Sequence, residues 1–213
     1  MTLLKPINAQ LSIVDYFSLL DEPRRPWLEA ESLKRKYLVL SAERHPDRVH
    51  AASEAEKRVA QERYTELNAA YNCLRDPKAR LQHLLELELG AKPGQVQNIP
   101  PDLMNLFMHV GALGRETDAF LAQKAATASP LLQVQMFERG QEWSAKLSAL
   151  QEQIWSREEE ALGELKTLDA AWEASEKDGR RTALKRLEEQ YRLLSFFGRW
   201  RAQIQERIVK LTL

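Results

Sequence analysis

Prolines, glycines and their usual turn companions cut this chain into segments, and the long segments between the cuts repeat their apolar residues at a helical period. Leu33, Tyr37 and Leu40 recur at i, i+4 and i+7, which lines one face of a helix with about 3.6 residues per turn. Val59, Tyr64, Leu67, Tyr71 and Leu74 do the same further on. No run alternates polar and apolar residues as a half-buried strand would. The spacing predicts an all-α protein. With 8 Gly and 9 Pro in 213 residues, its helices can be long and uninterrupted.

The cuts give the order of elements. A short apolar turn, Asp15 to Leu20, precedes the breaker Asp21-Glu22-Pro23. A helix then runs from Trp27 to about Arg44 and stops before Pro46, which has no N–H to donate and restricts the residue ahead of it. Asp47 to Glu54 reads as a loop, Ala55 to Arg75 as the next helix, and Asp76-Pro77 as its end. Lys78 to Leu89 reads as a helix closed by Gly90, a residue suited to the left-handed position after a C-terminus. The breaks at Pro93-Gly94 and Pro100-Pro101 mark a linker. The expected domains are therefore residues 1–92 and 102–213, joined by 93–101. In the second, Ser129-Pro130 starts a long helix, Glu176 to Gly179 is a turn, and Arg180 to Leu211 is the last helix.

Composition excludes several classes. Lys plus Arg and Asp plus Glu both number 31, so the basic surplus of a general nucleic-acid binder is missing. Cys73 is the single cysteine, which rules out an internal disulfide and a cysteine zinc cluster. No apolar run reaches the ~18 residues of a membrane span. Met1 to Gln10 lacks the pattern of a secretory signal. The expectation is a soluble cytoplasmic protein with no nucleic-acid or membrane partner.

His45-Pro46-Asp47 stands where a basic-flanked helix ends. A histidine there can donate to the free carbonyls of the helix end, and its cation is favoured by the dipole. Proline sets the exit angle, and Asp47 projects an anion suited to an arginine or to backbone donors. Taken alone, the tripeptide is equally a capped helix followed by a turn. Its surroundings are more specific: Tyr16-Phe17 upstream, then Asn68-Ala69-Ala70-Tyr71, Asp76-Pro77 and Arg80 downstream. In this order and spacing, residues 14–80 resemble a J domain, the module of DnaJ-type co-chaperones. The resemblance implies that His45, Pro46 and Asp47 trigger ATP hydrolysis by a DnaK-type chaperone. It also implies that Lys34, Arg35, Lys36, Arg44 and Arg48 form the basic contact face. Leu38 and Val39 depart from the pattern, standing where many J domains carry basic residues, and Glu43 adds a negative charge.

A helical domain follows directly, with no glycine/phenylalanine linker and no Cys-x-x-Cys repeats. This layout resembles the HscB family, co-chaperones of iron–sulfur cluster biogenesis. The resemblance implies a DnaK/HscA-type ATPase as one partner and an IscU-type iron–sulfur scaffold as client. Leu103, Met104, Phe107, Met108 and Phe196 are the client-binding residues it points to. Periodicity separates these residues: Leu103, Leu106, Val110 and Leu113 form a core stripe, with Met104 and Met108 off it and Phe107 at its border. Phe196 lies off the stripe of Leu187, Tyr191 and Leu194. Residues off a core stripe make a docking patch, unless another helix covers them. Met108, Gly111 and Arg115 stand where the family's binding face carries glutamates, and extra length falls within 127–160.

Other constellations carry less. His45, Asp47 and His50 lack a fourth metal anchor. His83 and His109 read as packing or surface residues, Cys73 as an inert thiol, and Glu158-Glu159-Glu160 as a solvated face. The five Trp, spread over both halves, read as core and interface filling. No glycine-rich phosphate loop is present. The reading is a non-enzymatic co-chaperone without cofactor or metal. The alternative is an adaptor whose J domain recruits the chaperone to a different complex through the long C-terminal helices.

Overall fold

The computed structural model describes residues 13–94, 98–174 and 177–212. The reading of Met1 to Gln10, the middle of the linker (95–97) and Glu176 of the expected turn lie outside the described residues. No described residue is in a strand. The chain forms two compact units that part between Pro93 and Gly94.

The first unit is built from α1 (Tyr16–Leu19), α2 (Ala30–Glu43), α3 (Glu54–Arg75) and α4 (Pro77–Leu89). Asp15 caps α1 by accepting from the N–H of Phe17 at 3.0 Å. α3 begins one residue earlier than expected, because Ser53 and Glu56 close a capping box: Ser53 N–H donates to Glu56 Oε2 and Glu56 N–H to Ser53 Oγ. Asp76 caps α4 with Pro77 in its first turn, and Gly90 ends it at φ +72°. That left-handed backbone suits glycine, which has no Cβ to clash. α2 and α3 form an antiparallel hairpin, against which α1 and α4 close a core of Phe17, Leu20, Leu33, Leu67, Leu74 and Leu81. Val59 was expected on the buried face of α3 but is exposed, because its turn of α3 lies beyond the core.

Arg80 is buried within this core. Its Nε donates to Pro26 O at 2.8 Å and its Nη1 to Leu74 O at 2.7 Å. Leu74 O is one of the carbonyls that the end of α3 leaves without a helical partner. A cation there satisfies that acceptor and meets the negative end of the dipole.

The second unit holds α5 (Met104–Ala126), α6 (Pro130–Ala174) and α7 (Lys177–Thr212). The 45 residues of α6 span about 67 Å. Of the stretch 127–160, where additional length was expected, residues 130–160 lie in this helix. α6 and α7 run antiparallel, with Arg201 paired to Glu158 at 2.7 Å and Gln151 bonded to Gln205. Glu158 was expected on a solvated face and is instead half-buried in this pair. α7 begins at Lys177, so Lys177 to Gly179 are helical rather than part of a turn. The hairpin is clamped at this end by Arg180, which lies 3.5 Å above the Trp172 ring and donates to Trp172 O.

α5 lies along the second half of α7. Phe107 meets Trp200, Asp118 takes both Nε and Nη2 of Arg207, and Lys124 donates to Leu211 O. Because α5 starts level with Trp200, no third helix among the described residues of this unit reaches the remoter half of the α6–α7 hairpin. Ala161, Leu165, Leu168 and Trp172 of α6 bury themselves there against Ala183, Leu187 and Leu194 of α7. Trp155 is exposed on α6, contrary to a core role.

Candidate functional site

His45, Pro46 and Asp47 sit in the connection that joins α2 to α3, at the tip of the hairpin. α2 stops at Glu43, and Pro46 begins a 3-10 turn, Pro46–Val49, where a loop was expected. His45 is extended and caps this turn: its Nδ1 accepts from the N–H of Asp47 at 3.3 Å. The expected donation to α2 carbonyls is therefore replaced by acceptance, which requires a bare Nδ1 and places the proton of the neutral ring on Nε2. Nδ1 also lies 3.5 Å from a carboxylate oxygen of Asp47. The Asp47 side chain is 90% exposed, so it stands clear of the fold.

The hairpin holds the histidine in place. Tyr37 stacks on Tyr71 with centroids 4.0 Å apart and donates to Asn68 Oδ1 at 2.7 Å. One turn on, Ser41 Oγ donates to Tyr64 OH, and the Tyr64 ring meets His45 edge-on at 5.3 Å. Asn68 and Tyr71 thus fix the register that brings Tyr64 beneath His45. Sequence reasoning placed Tyr64 on the buried face but missed this role. Its signal was the antiparallel register of α2 on α3, which the Tyr37–Tyr71 pair sets.

The five basic residues differ in their surroundings. Lys34 and Arg35 are exposed on α2 and make no ion pair among the described residues. Lys36 is tied down by Glu22 at 2.8 Å and by Asp21 O at 3.0 Å. Arg44 and Arg48 line a cleft of about 500 Å³ with His45, Arg63 and Glu66. Arg63 had no place in the sequence reading.

His83 and Cys73 are structural. Tyr16 N–H donates to His83 Nε2 at 3.1 Å, and the imidazole stacks on Tyr16. Burial holds this imidazole below its ordinary value of 6.5, outweighing Asp15 and Glu86, which pull the other way. The unfolded chain then takes up a proton that the folded chain refuses. Stability is complete above about pH 6.5 and falls as pH drops through and below it. His83→Gln should flatten urea midpoints measured from about pH 7.5 to about pH 5.5; an unchanged slope would assign the acid sensitivity elsewhere. Burial, followed by the charge of Asp76, pushes the Cys73 thiol up to about 11, which leaves it unreactive. No cluster of three or more His, Cys, Asp or Glu among the described residues could hold a metal.

In the second unit, a groove of about 450 Å³ opens between α5 and α7. Phe107, Val110, Phe196 and Trp200 line it, with Arg199 at its edge. Met104 and Met108 are exposed on α5, as expected, and so is Phe107. Leu103 is buried, in line with its core spacing and not with an exposed client contact. Phe196 departs from expectation: it is 5% exposed, packed 5.5 Å from the Trp200 ring and covered by Arg199 at 4.7 Å. The reason is that α7 faces two helices, so its buried side takes in Leu194, Phe196, Phe197 and Trp200 together. Phe196 forms the floor of the groove. His109 and His50 are exposed.

Comparison with known proteins agrees with this architecture. The family model described as DnaJ domain matches residues 15–83. The co-chaperone protein HscB homolog of Paraburkholderia phytofirmans is 43% identical over 83 residues, which are 39% of this chain and 47% of that protein. The chain thus spans about half the length of that relative. The HscB homolog of Burkholderia mallei is 34% identical over 135 residues, 63% of this chain and 76% of that protein. Among solved structures, chaperone HscB from Vibrio cholerae aligns over 91% of this chain and 96% of its own, with a TM-score of 0.59 and 20% identity. Human co-chaperone protein HscB aligns over 92% and 82%, with a TM-score of 0.62 and 19% identity. At these identities the structural likeness is one of fold. The sequence match reaches past the His-Pro-Asp unit into the second helical unit, and with it this chain belongs to the HscB family of J-domain co-chaperones.

Proposed function

We propose that this chain stimulates a DnaK- or HscA-type ATPase through His45, Pro46 and Asp47. We further propose that it presents to that ATPase a client held in the α5–α7 groove, an IscU-type iron–sulfur scaffold. The observation that carries the first half is the corner itself: an exposed carboxylate on a 3-10 turn, beside a histidine seated on Tyr64. Arg44 and Arg48 flank it, and Lys34 and Arg35 continue the positive charge further back along α2, for an acidic surface. Support for the second half is an apolar groove with exposed Met104, Phe107 and Met108 along its α5 side. Methionine suits such adaptable contacts. The proposed domains are residues 1–92 and 102–213, with cytoplasmic action; no described helix is long and apolar enough to cross a membrane.

The adaptor alternative draws on one observation: no carboxylate among the described residues lines the groove. One binding measurement decides between the two clients. Met104→Ala and Phe107→Ala should weaken binding of a purified IscU-type scaffold by about tenfold or more each, with near-normal melting for Met104→Ala. If the unmodified chain does not bind the scaffold, the client is of another kind. If it binds and neither variant weakens it, the client sits elsewhere on the chain.

A further inference from the structure

The outward face of α2 is only partly charged. Its inward side carries buried Leu33 with Tyr37 and Leu40. On the other side, Arg35, Leu38, Val39 and Ala42 stand at i, i+3, i+4 and i+7 and share one face. Leu38 is 55% and Val39 58% exposed, and Ala42 is exposed beside them. Single exposed apolar residues are commonplace, but these three adjoin one another in the last two turns before the His-Pro-Asp corner. Lys34 and Arg35 border them on the side away from the corner, with Glu31 one turn further out. Lys36 is held by Glu22 and adds nothing to this face.

We propose that Leu38, Val39 and Ala42 form an apolar contact for the ATPase, and that the ATPase surface opposite them is an apolar patch bordered by carboxylates rather than a uniformly acidic one. This rests on the reading that the His45 corner engages a DnaK-type ATPase. Two features favour that occupant. The patch is continuous with the corner along one helix, so a partner seated on Asp47 covers it. The cations at its border call for carboxylates at a fixed distance from the apolar contact, about one helical turn away. Such a surface discriminates between chaperones: an ATPase offering only carboxylates would leave some of them desolvated and unpaired against Leu38 and Val39.

The test uses the full chain with purified DnaK-type and HscA-type ATPases, measuring stimulation as a function of chain concentration. The double variant Leu38→Gln, Val39→Gln keeps good helix formers at both positions. It should raise the half-maximal concentration about tenfold while leaving maximal stimulation and melting unchanged. Leu38→Lys, Val39→Lys should be weaker still. If the glutamine variant matches the parent, or the lysine variant surpasses it, the apolar contact is refuted. If sedimentation shows that the parent dimerises and the glutamine variant does not, the occupant is a second copy and the proposal falls. His45→Gln separates the two levels. It should remove stimulation at every concentration, and if instead it leaves stimulation intact, the underlying ATPase reading fails whatever the α2 variants do.

Discussion

His45→Gln is expected to abolish stimulation of the partner ATPase at any concentration, the largest functional effect of a single substitution in this chain. Glutamine is polar and of similar reach, but it has no ring to meet Tyr64 edge-on. Its side chain also has rotamer freedom that the imidazole lacks, so the acceptor to the Asp47 N–H loses its fixed position. Asp47 then leaves the orientation in which it faces the partner. Stability should barely change, because the corner lies outside the core and His45 is 44% exposed. Steady-state ATPase rates, paired with circular dichroism, make the measurement. Normal stimulation by the variant would remove the His-Pro-Asp corner from the mechanism. Tyr64→Leu, by the same logic, should give an intermediate loss, since it keeps bulk below His45 while removing the ring edge and the hydroxyl.

Phe196→Ala should produce the largest loss of stability in the second unit. The ring is buried among Trp200, Phe197 and the α5 side of the groove, with Arg199 over it. Emptying such a site costs about 3–5 kcal/mol, which lowers the melting temperature of a unit this size by roughly 10–20 °C. Client binding should fall as well, as the groove loses its floor. Phe196→Leu, which fills most of the volume, should recover most of the melting temperature. Were Phe196→Ala to melt like the parent and lose only binding, the ring would be an exposed anchor and its packing against Trp200 would be wrong.

These two residues also mark where the sequence was readable. Element ends were legible because they depend on local chemistry: Asp76-Pro77, Gly90 and Ser129-Pro130 act on their own backbone and need no distant partner. The tripeptide was legible for the same reason, and its flanking Asn68 and Tyr71 turned out to set the hairpin register beneath it. Phe196 was not legible, because periodicity assigns one stripe to each partner helix and α7 has two partners. The hydrogen-bonding role of His45 was hidden by the 3-10 turn, which a sequence cannot distinguish from an irregular loop. Lys36 looked like part of a basic face, and only the return of the chain past Pro23 brings Glu22 to it.

The α6–α7 hairpin has a consequence of a different kind. α6 is one uninterrupted helix, but only its first part shares a core with α5. Toward Ala174 its buried side packs on α7, and Leu165, Leu168 and Trp172 are there as fully buried as Leu147 and Leu150 in its first half. Protection of backbone amides against deuterium should therefore stay deep along this helix rather than fade beyond the reach of α5. Amides around Leu165 and Leu168 should exchange as slowly as those around Leu147 and Leu150, with the Trp172–Arg180 clamp slowing exchange locally at the tip. The cooperative unit of this domain is then as long as its longest helix.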